Sequence, residues 1–280
     1  MALPMMRHIF SAFGELRFHP LQTRLRARLG DELVVDSTAG MIIWEPKRVV
    51  PVYAAPVDDL ICELEPAEAP GDAPATTSAI GDGPPVLTPA VPFTHHSTAG
   101  TPFDVRTAGG ATVPGAAFRP DEPDLAHLVF LDFVPFRWWE EETESVGHPR
   151  DPFHRIDVRR SSRQVEVALE GRTLASSDRA MILTETSLPP RFYFPREDIS
   201  QDLLEPSDHK TTCAYKGHAD HLTATYADDG DSIAWVYEEP LHDAGDVAGM
   251  VAFYNERVDV AVDGVPYERP RTPWGRARHQ

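Results

Sequence analysis

The feature that most limits what this chain can become is an internal echo. Gln164 to Ala175, a charged and apolar alternation turning at Gly171, repeats the plan of Arg24 to Val35, which turns at Gly30-Asp31. Ala180-Met-Ile-Leu-Thr-Glu185 repeats Gly40-Met-Ile-Ile-Trp-Glu45. Arg191 to Ile199 stands where Pro51 to Leu60 stood, and both stretches run on to Glu-Pro, at Glu65-Pro66 and Glu205-Pro206. Several matches at one spacing of about 140 residues point to tandem domains rather than a solenoid, whose period is far shorter. The 280 residues agree, because single cores stop growing near 250 to 300 residues.

Within each repeat the apolar residues alternate in short runs broken by Gly, Asp and Pro, the pattern of antiparallel strands. The alternation of strands and helices that builds a parallel nucleotide-binding sheet is missing. The expected fold is therefore mainly β, two tandem copies of a compact antiparallel domain, each with one short helix; in the first copy that helix falls at Pro56 to Leu64. The expected layout is an N-terminal segment (1–15), a first, divergent copy (16–145), a second copy (154–265) and a basic tail (266–280). The first copy carries a Pro-rich insertion at 66–92, read as a surface excursion or a lid because it lacks the apolar residues to order itself. Residues 99–124 look similarly loop-rich.

Charge narrows the partners. With 44 acidic and 26 basic residues the formal charge is −18, which repels phosphate backbones and anionic membrane surfaces. No nucleic acid and no membrane partner is expected. No stretch reaches the ~18 apolar residues of a membrane span, and Met1 to Pro20 lacks the continuous apolar centre of a signal peptide. The expected location is the cytoplasm, where Cys62 and Cys213 would be free thiols. Cys62, in Leu-Ile-Cys-Glu-Leu, reads as a buried structural thiol.

Cys213 sits in the densest reactive window, His209 to His221. A nucleophilic or redox thiol needs a nearby cation or base, and Lys216, His209 and His218 are at hand. Zinc held by His209, Cys213, His218 and His221 is the metal alternative, but the spacing fits no zinc motif and no metal or other cofactor is expected. Glu185 and Arg191 flank the Leu188-Pro189-Pro190 bend, as an ion pair or with the arginine anchoring an anionic ligand. Tyr193, Tyr215, Trp235 and Tyr237 would wall the pocket, in the second copy or between the copies.

The second copy resembles the domain of unknown function 427 family of bacterial proteins. The residues carrying the likeness are Glu185 to Asp198, Thr211-Thr-Cys-Ala-Tyr-Lys-Gly-His-Ala219, Ala234 to Tyr237 and Gly249 to Tyr254. It covers about 163 to 265, and the first copy more weakly; Ala214 replaces the proline that usually follows this cysteine. The resemblance implies a β-tent-like fold, akin to methionine sulfoxide reductase B domains and zinc-bearing exchange-factor chaperones, although their paired Cys-x-x-Cys zinc motifs are absent here. A nucleotidyltransferase association also attaches to the family. It finds no support in a chain without clustered carboxylates beside a glycine-rich cradle, and Asp228-Asp-Gly-Asp231 reads as a hairpin turn. Together these features suggest an enzyme acting on a small-molecule ligand, a polar metabolite, with Cys213 as nucleophile or redox thiol. Catalytic candidates are Cys213, Lys216, His218 and Glu185; substrate-binding candidates are Arg191, Tyr193, Tyr215, Trp235 and Tyr237. The alternatives are a non-catalytic binding module with Cys213 packed, and a metal-dependent lyase or hydrolase. A homodimer is compatible with the sequence.

Overall fold

The computed structural model describes residues 2–68, 77–88 and 90–275. The central part of the Pro-rich insertion (69–76, with Pro89) and the end of the basic tail (276–280) lie outside the described residues, so the lid reading does too. The chain divides into two compact units, Met1–Ser78 with Gly83–Asp151, and Ala79–Asp82 with Pro152–Gln280. Both are mainly antiparallel β. No helix among the described residues is long and apolar enough to cross a membrane.

In the second unit a seven-stranded sheet runs, in spatial order, Ile156–Arg160, Met181–Glu185, Arg191–Phe194, Val251–Phe253, Ala234–Val236, Gly217–Thr223 and Glu205–Cys213. A four-stranded sheet runs Arg172–Ser177, Val165–Leu169, Asp259–Val262 and Val265–Tyr267. Alternation divides the large sheet's side chains between two faces. Phe192, Phe194, Val236, Val251 and Phe253 form one core with Val165, Val167, Leu174 and Val260 of the small sheet. Burying a side chain of this size contributes about 1.5–3 kcal/mol each, which is what holds the two sheets together.

The other face of the large sheet carries Leu183, Tyr193, Ala219, Trp235 and Ala252, covered by Ala244 and Val247 of the 3-10 helical segment His242–Val247. Residues opposite one another in antiparallel register share a face. The pairs Leu183↔Arg191, Tyr193↔Ala252, His221↔Trp235, Thr211↔Ala219 and Cys213↔Gly217 therefore put Arg191, Tyr193, Trp235, His221 and Cys213 on this same side.

The first unit repeats the strand order in both sheets. Its large sheet runs Arg17–Pro20, Met41–Trp44, Val52–Pro56, Leu128–Leu131, Thr112–Pro120, Gly100–Arg106 and Glu63–Pro66. Its small sheet runs Thr143–Ser145, Arg137–Glu140, Leu25–Leu29 and Glu32–Ser37. Fine detail follows at the same spacing: a bulge after Ala27 and after Val167, isolated bridges Val35↔Leu60 and Ala175↔Ile199, and hydroxyl-to-carboxylate bonds from Ser37 to Asp59 (2.5 Å) and Ser177 to Asp198 (2.6 Å).

Two expectations change, and two segments gain detail. The stretch 99–124 holds two of the first unit's long strands. Its Gly115, at φ 60°, sits inside the register shift between Val113 and Ala117, so the glycine marks a bulge instead of a loop. The helix expected from Pro56 to Leu64 is one 3-10 turn, Val57–Asp59, followed by the strand Glu63–Pro66. The N-terminal segment contains a helix, Met5–Ser11. In the described part of the basic tail, Pro266 and Tyr267 continue the strand Val265–Tyr267, and Thr272 is buried.

Candidate functional site

The Cys213 motif forms the hairpin between the last two strands of the second unit's large sheet. Cys213 ends its strand, Ala214, Tyr215 and Lys216 turn, and Gly217 begins the return at φ 92°. That φ, not crowding, is what favours glycine here. The turn is pinned by Leu241, whose N–H donates to the Lys216 carbonyl at 3.1 Å.

From this hairpin the Lys216 ammonium donates to Glu185 Oε1. Glu185 belongs to Met181–Glu185, four strand positions from Gly217–Thr223. In a flat sheet that separation would be about 19 Å, more than two side chains bridge, so the sheet curls until its ends meet. Tyr215 tightens the same closure by stacking on His154 at 4.3 Å, and His154 Nε2 reaches Glu185 Oε2 at 3.3 Å. Only 10% of the Lys216 side chain and 6% of that of Glu185 are exposed, so each charge depends on the other.

Burial opposes the charge on Lys216, but Glu185, Cys213 and Tyr193 around it outweigh burial and raise its pKa above the ordinary lysine value. Burial likewise pushes Glu185 upward, yet Lys216 and His154 hold it well below the usual carboxylate range. Both therefore remain charged at neutral pH. Burial lifts the phenol of Tyr193 to about 12, tempered by Lys216, and also raises that of Tyr237, with Tyr193 and Cys213 adding to it. These couplings tie Cys213, Lys216, Glu185, Tyr193 and Tyr237 into one electrostatic neighbourhood. Cys213 itself is half-buried, and its sulfur accepts the Tyr215 N–H at 3.5 Å.

Other candidates fall elsewhere. His218 projects from the opposite, solvent face of the hairpin and pairs with Thr212 at 2.9 Å, because strand alternation separates it from Cys213. It is not positioned to activate the thiol. Arg191 does not pair with Glu185. Its guanidinium makes a bidentate contact with Glu256, both distances 2.6 Å, and lies within 6.0 Å of the rings of Trp235, Tyr254 and Trp274. Glu256 also accepts from Thr272 at 2.5 Å. A fork already filled by a carboxylate does not serve as a ready anchor for an anionic ligand. Tyr193, Trp235 and Tyr237 are buried, with Trp235 Nε1 donating to the Tyr193 hydroxyl at 3.2 Å; they are core under the cluster more than walls of an open pocket.

The four residues considered for zinc are not gathered. His209 and His221 have ring centroids 4.6 Å apart, but His218 points away, and among the described residues no group of three His, Cys, Asp or Glu side chains is arranged to hold a metal ion. Asp228 to Asp231 forms a turn, capped by Arg257, which donates to the carbonyls of Asp229 (2.8 Å) and Asp231 (2.5 Å).

Sequence reasoning missed His154 and Glu256. Each lies far along the chain from its partner but close to it across neighbouring strands: Ile156 pairs with Glu185, and Tyr193 with Ala252.

A curled antiparallel sheet backed by a smaller one, with a buried lysine and carboxylate closing it beside a half-buried cysteine, defines the class of domain. Residues 157–264, within the second unit, match the model of the family described as domain of unknown function (DUF427). No curated protein matches the chain.

Proposed function

We propose that the second unit is an enzyme domain acting on a small polar molecule at the lip of the closed sheet, with Cys213 as the attacking thiol. The observation that carries this reading is the buried Lys216 ammonium, bonded to Glu185 and set in the turn that directly follows Cys213. A cation held beside a thiol favours the thiolate, the nucleophilic form. A protonated lysine is neither base nor nucleophile, so Lys216 acts through its charge, on the thiolate and on negative charge developing on the substrate. Glu185 positions that charge, and His154 with Tyr215 holds the hairpin against Glu185. The two free thiols suit a reducing compartment, the cytoplasm. Shared strand order and bulge positions support reading the two units as copies of one domain.

The test uses Cys62, in the first unit, as an internal standard, since burial pushes its thiol up to about 11. Alkylation by iodoacetamide at pH 7.5, followed by peptide mass spectrometry, should modify Cys213 at least about tenfold faster than Cys62, the effect of a neighbouring unit charge in a half-wet site. Equal rates would end the nucleophile reading. They would favour the second reading, a non-catalytic binding module, which has its own support in the fact that Lys216, Glu185 and Arg191 are all satisfied by protein partners.

A further inference from the structure

Along the same strand as Glu185, but four residues away, Met181 enters different surroundings. Four residues of strand span about 13 Å, which places Met181 well clear of the lysine and carboxylate pair. There a cleft of about 480 Å³ opens between the edge strand Ile156–Arg160 and the segment that follows Leu241. Its size is that of a small-molecule site, typically about 300–1,000 Å³.

The lining is divided by chemistry. Val158, Met181 and Met250 supply an apolar floor, half-buried and continuous with the core of that face. Methionine is the side chain that best adapts to differing apolar shapes. The polar rim sorts into groups already engaged and groups that are not. Arg179 is held by Asp198, at 3.0 and 2.7 Å, and by Glu197 at 3.1 Å. The Ser161 hydroxyl accepts the Arg163 N–H at 3.1 Å. Arg160 and Asp246, both exposed, remain: among the described residues neither has an ion-pair partner within 4.0 Å, and they do not pair with each other. A cation on the strand wall and an anion on the opposite wall thus face one cleft without bridging it.

We infer that this cleft is a binding site for a zwitterionic small molecule with an apolar body, a free α-amino acid bearing an aliphatic or thioether side chain. The carboxylate would take the Arg160 fork, for which guanidinium geometry is suited. The ammonium would meet Asp246, and the side chain would lie on Met181, Met250 and Val158. A simple anion gains from Arg160 but is repelled by Asp246, and a simple amine has the converse problem, so selectivity for a zwitterion follows from the pair. The site stands independently of the Cys213 chemistry.

The experiment labels the methionine methyl groups with carbon-13 in the intact chain and titrates L-leucine, with Met181 and Met250 resonances assigned through M181L and M250L. Saturable shifts of those two resonances are expected. R160Q and D246N, both at exposed positions and checked for folding by circular dichroism, should each weaken binding about tenfold, the loss of one charge-assisted contact. 4-Methylpentanoate, lacking the ammonium, and 3-methylbutylamine, lacking the carboxylate, should bind weaker than leucine by a similar factor. The inference is overturned if leucine gives no saturable shift, if folded R160Q and D246N bind it as well as the parent, or if either single-charge analogue binds as tightly as leucine.

Discussion

Glu45 and Glu185 occupy the same place in the two units, each four residues after the methionine that opens its strand and two before a residue of positive φ, Lys47 at 64° and Ser187 at 67°. Both carboxylates are buried and both hold the segment that leads into the second-last strand of the large sheet, yet by different means. Glu45 Oε1 accepts the backbone N–H groups of Ser97 (3.0 Å) and Thr98 (3.3 Å), while Oε2 faces His96 Nδ1 at 3.2 Å and Arg48 at 3.6 Å. His96 is stacked on Phe118 at 3.6 Å. Glu185 instead meets an ammonium and a second histidine, His154. The difference teaches that the carboxylate is first a clasp for a curled sheet. Among the described residues, the clasp is a buried lysine only in the second unit, where the lysine's turn directly follows a cysteine.

The largest expected effect comes from removing the two charges while keeping shape. E185Q strands the Lys216 ammonium without a counter-charge and should cost about 3–5 kcal/mol in urea unfolding. E45Q keeps an amide oxygen for Ser97 and Thr98 and should cost about 1–2 kcal/mol. Equal costs would remove the distinction between the clasps.

Acid should weaken the second unit in two stages. Burial, with His209 beside it, lowers the His221 pKa from 6.5 to about 4. A base whose folded pKa is depressed contributes stability present above 6.5 and lost as pH falls toward 4. Glu185, depressed from 4.5 by Lys216 and His154 against burial, contributes stability complete above 4.5 and lost below it. Unfolding curves between pH 7 and 3 should therefore show an upper limb that H221Q flattens, with the lower limb kept. Retention of the upper limb in H221Q would contradict the assignment.

The smallest effect is at the stack that presses the hairpin home. Y215L keeps bulk but loses the ring contact with His154 and should cost about 0.5–1.5 kcal/mol. No cost in chemical denaturation would leave Lys216 as the sole closure.

Period and alternation made the fold readable, because local residues decide whether a run such as Met181–Glu185 is a strand. The same local cues misread 99–124, where Gly115 and Pro114 serve a bulge within a long strand. The site was half legible. Cys213, Lys216 and Glu185 stood out as reactive types in an otherwise ordinary chain, and register places Cys213 on the face of Tyr193 and Trp235. His218 was credited wrongly because adjacency in sequence is the opposite of adjacency on a strand face. The true partners, His154 for Glu185 and Glu256 for Arg191, lie just past the ends of neighbouring strands, and which strands become neighbours is a matter of sheet topology that no local spacing in the sequence encodes.

The most direct test of the link from clasp to chemistry is the alkylation rate of Cys213 at pH 7.5 in the parent protein and in K216M, with Cys62 as standard and folding confirmed by circular dichroism. The ammonium beside the thiol predicts that K216M slows Cys213 about tenfold and leaves Cys62 unchanged. An unaltered Cys213 rate in folded K216M would show that the buried lysine only closes the sheet.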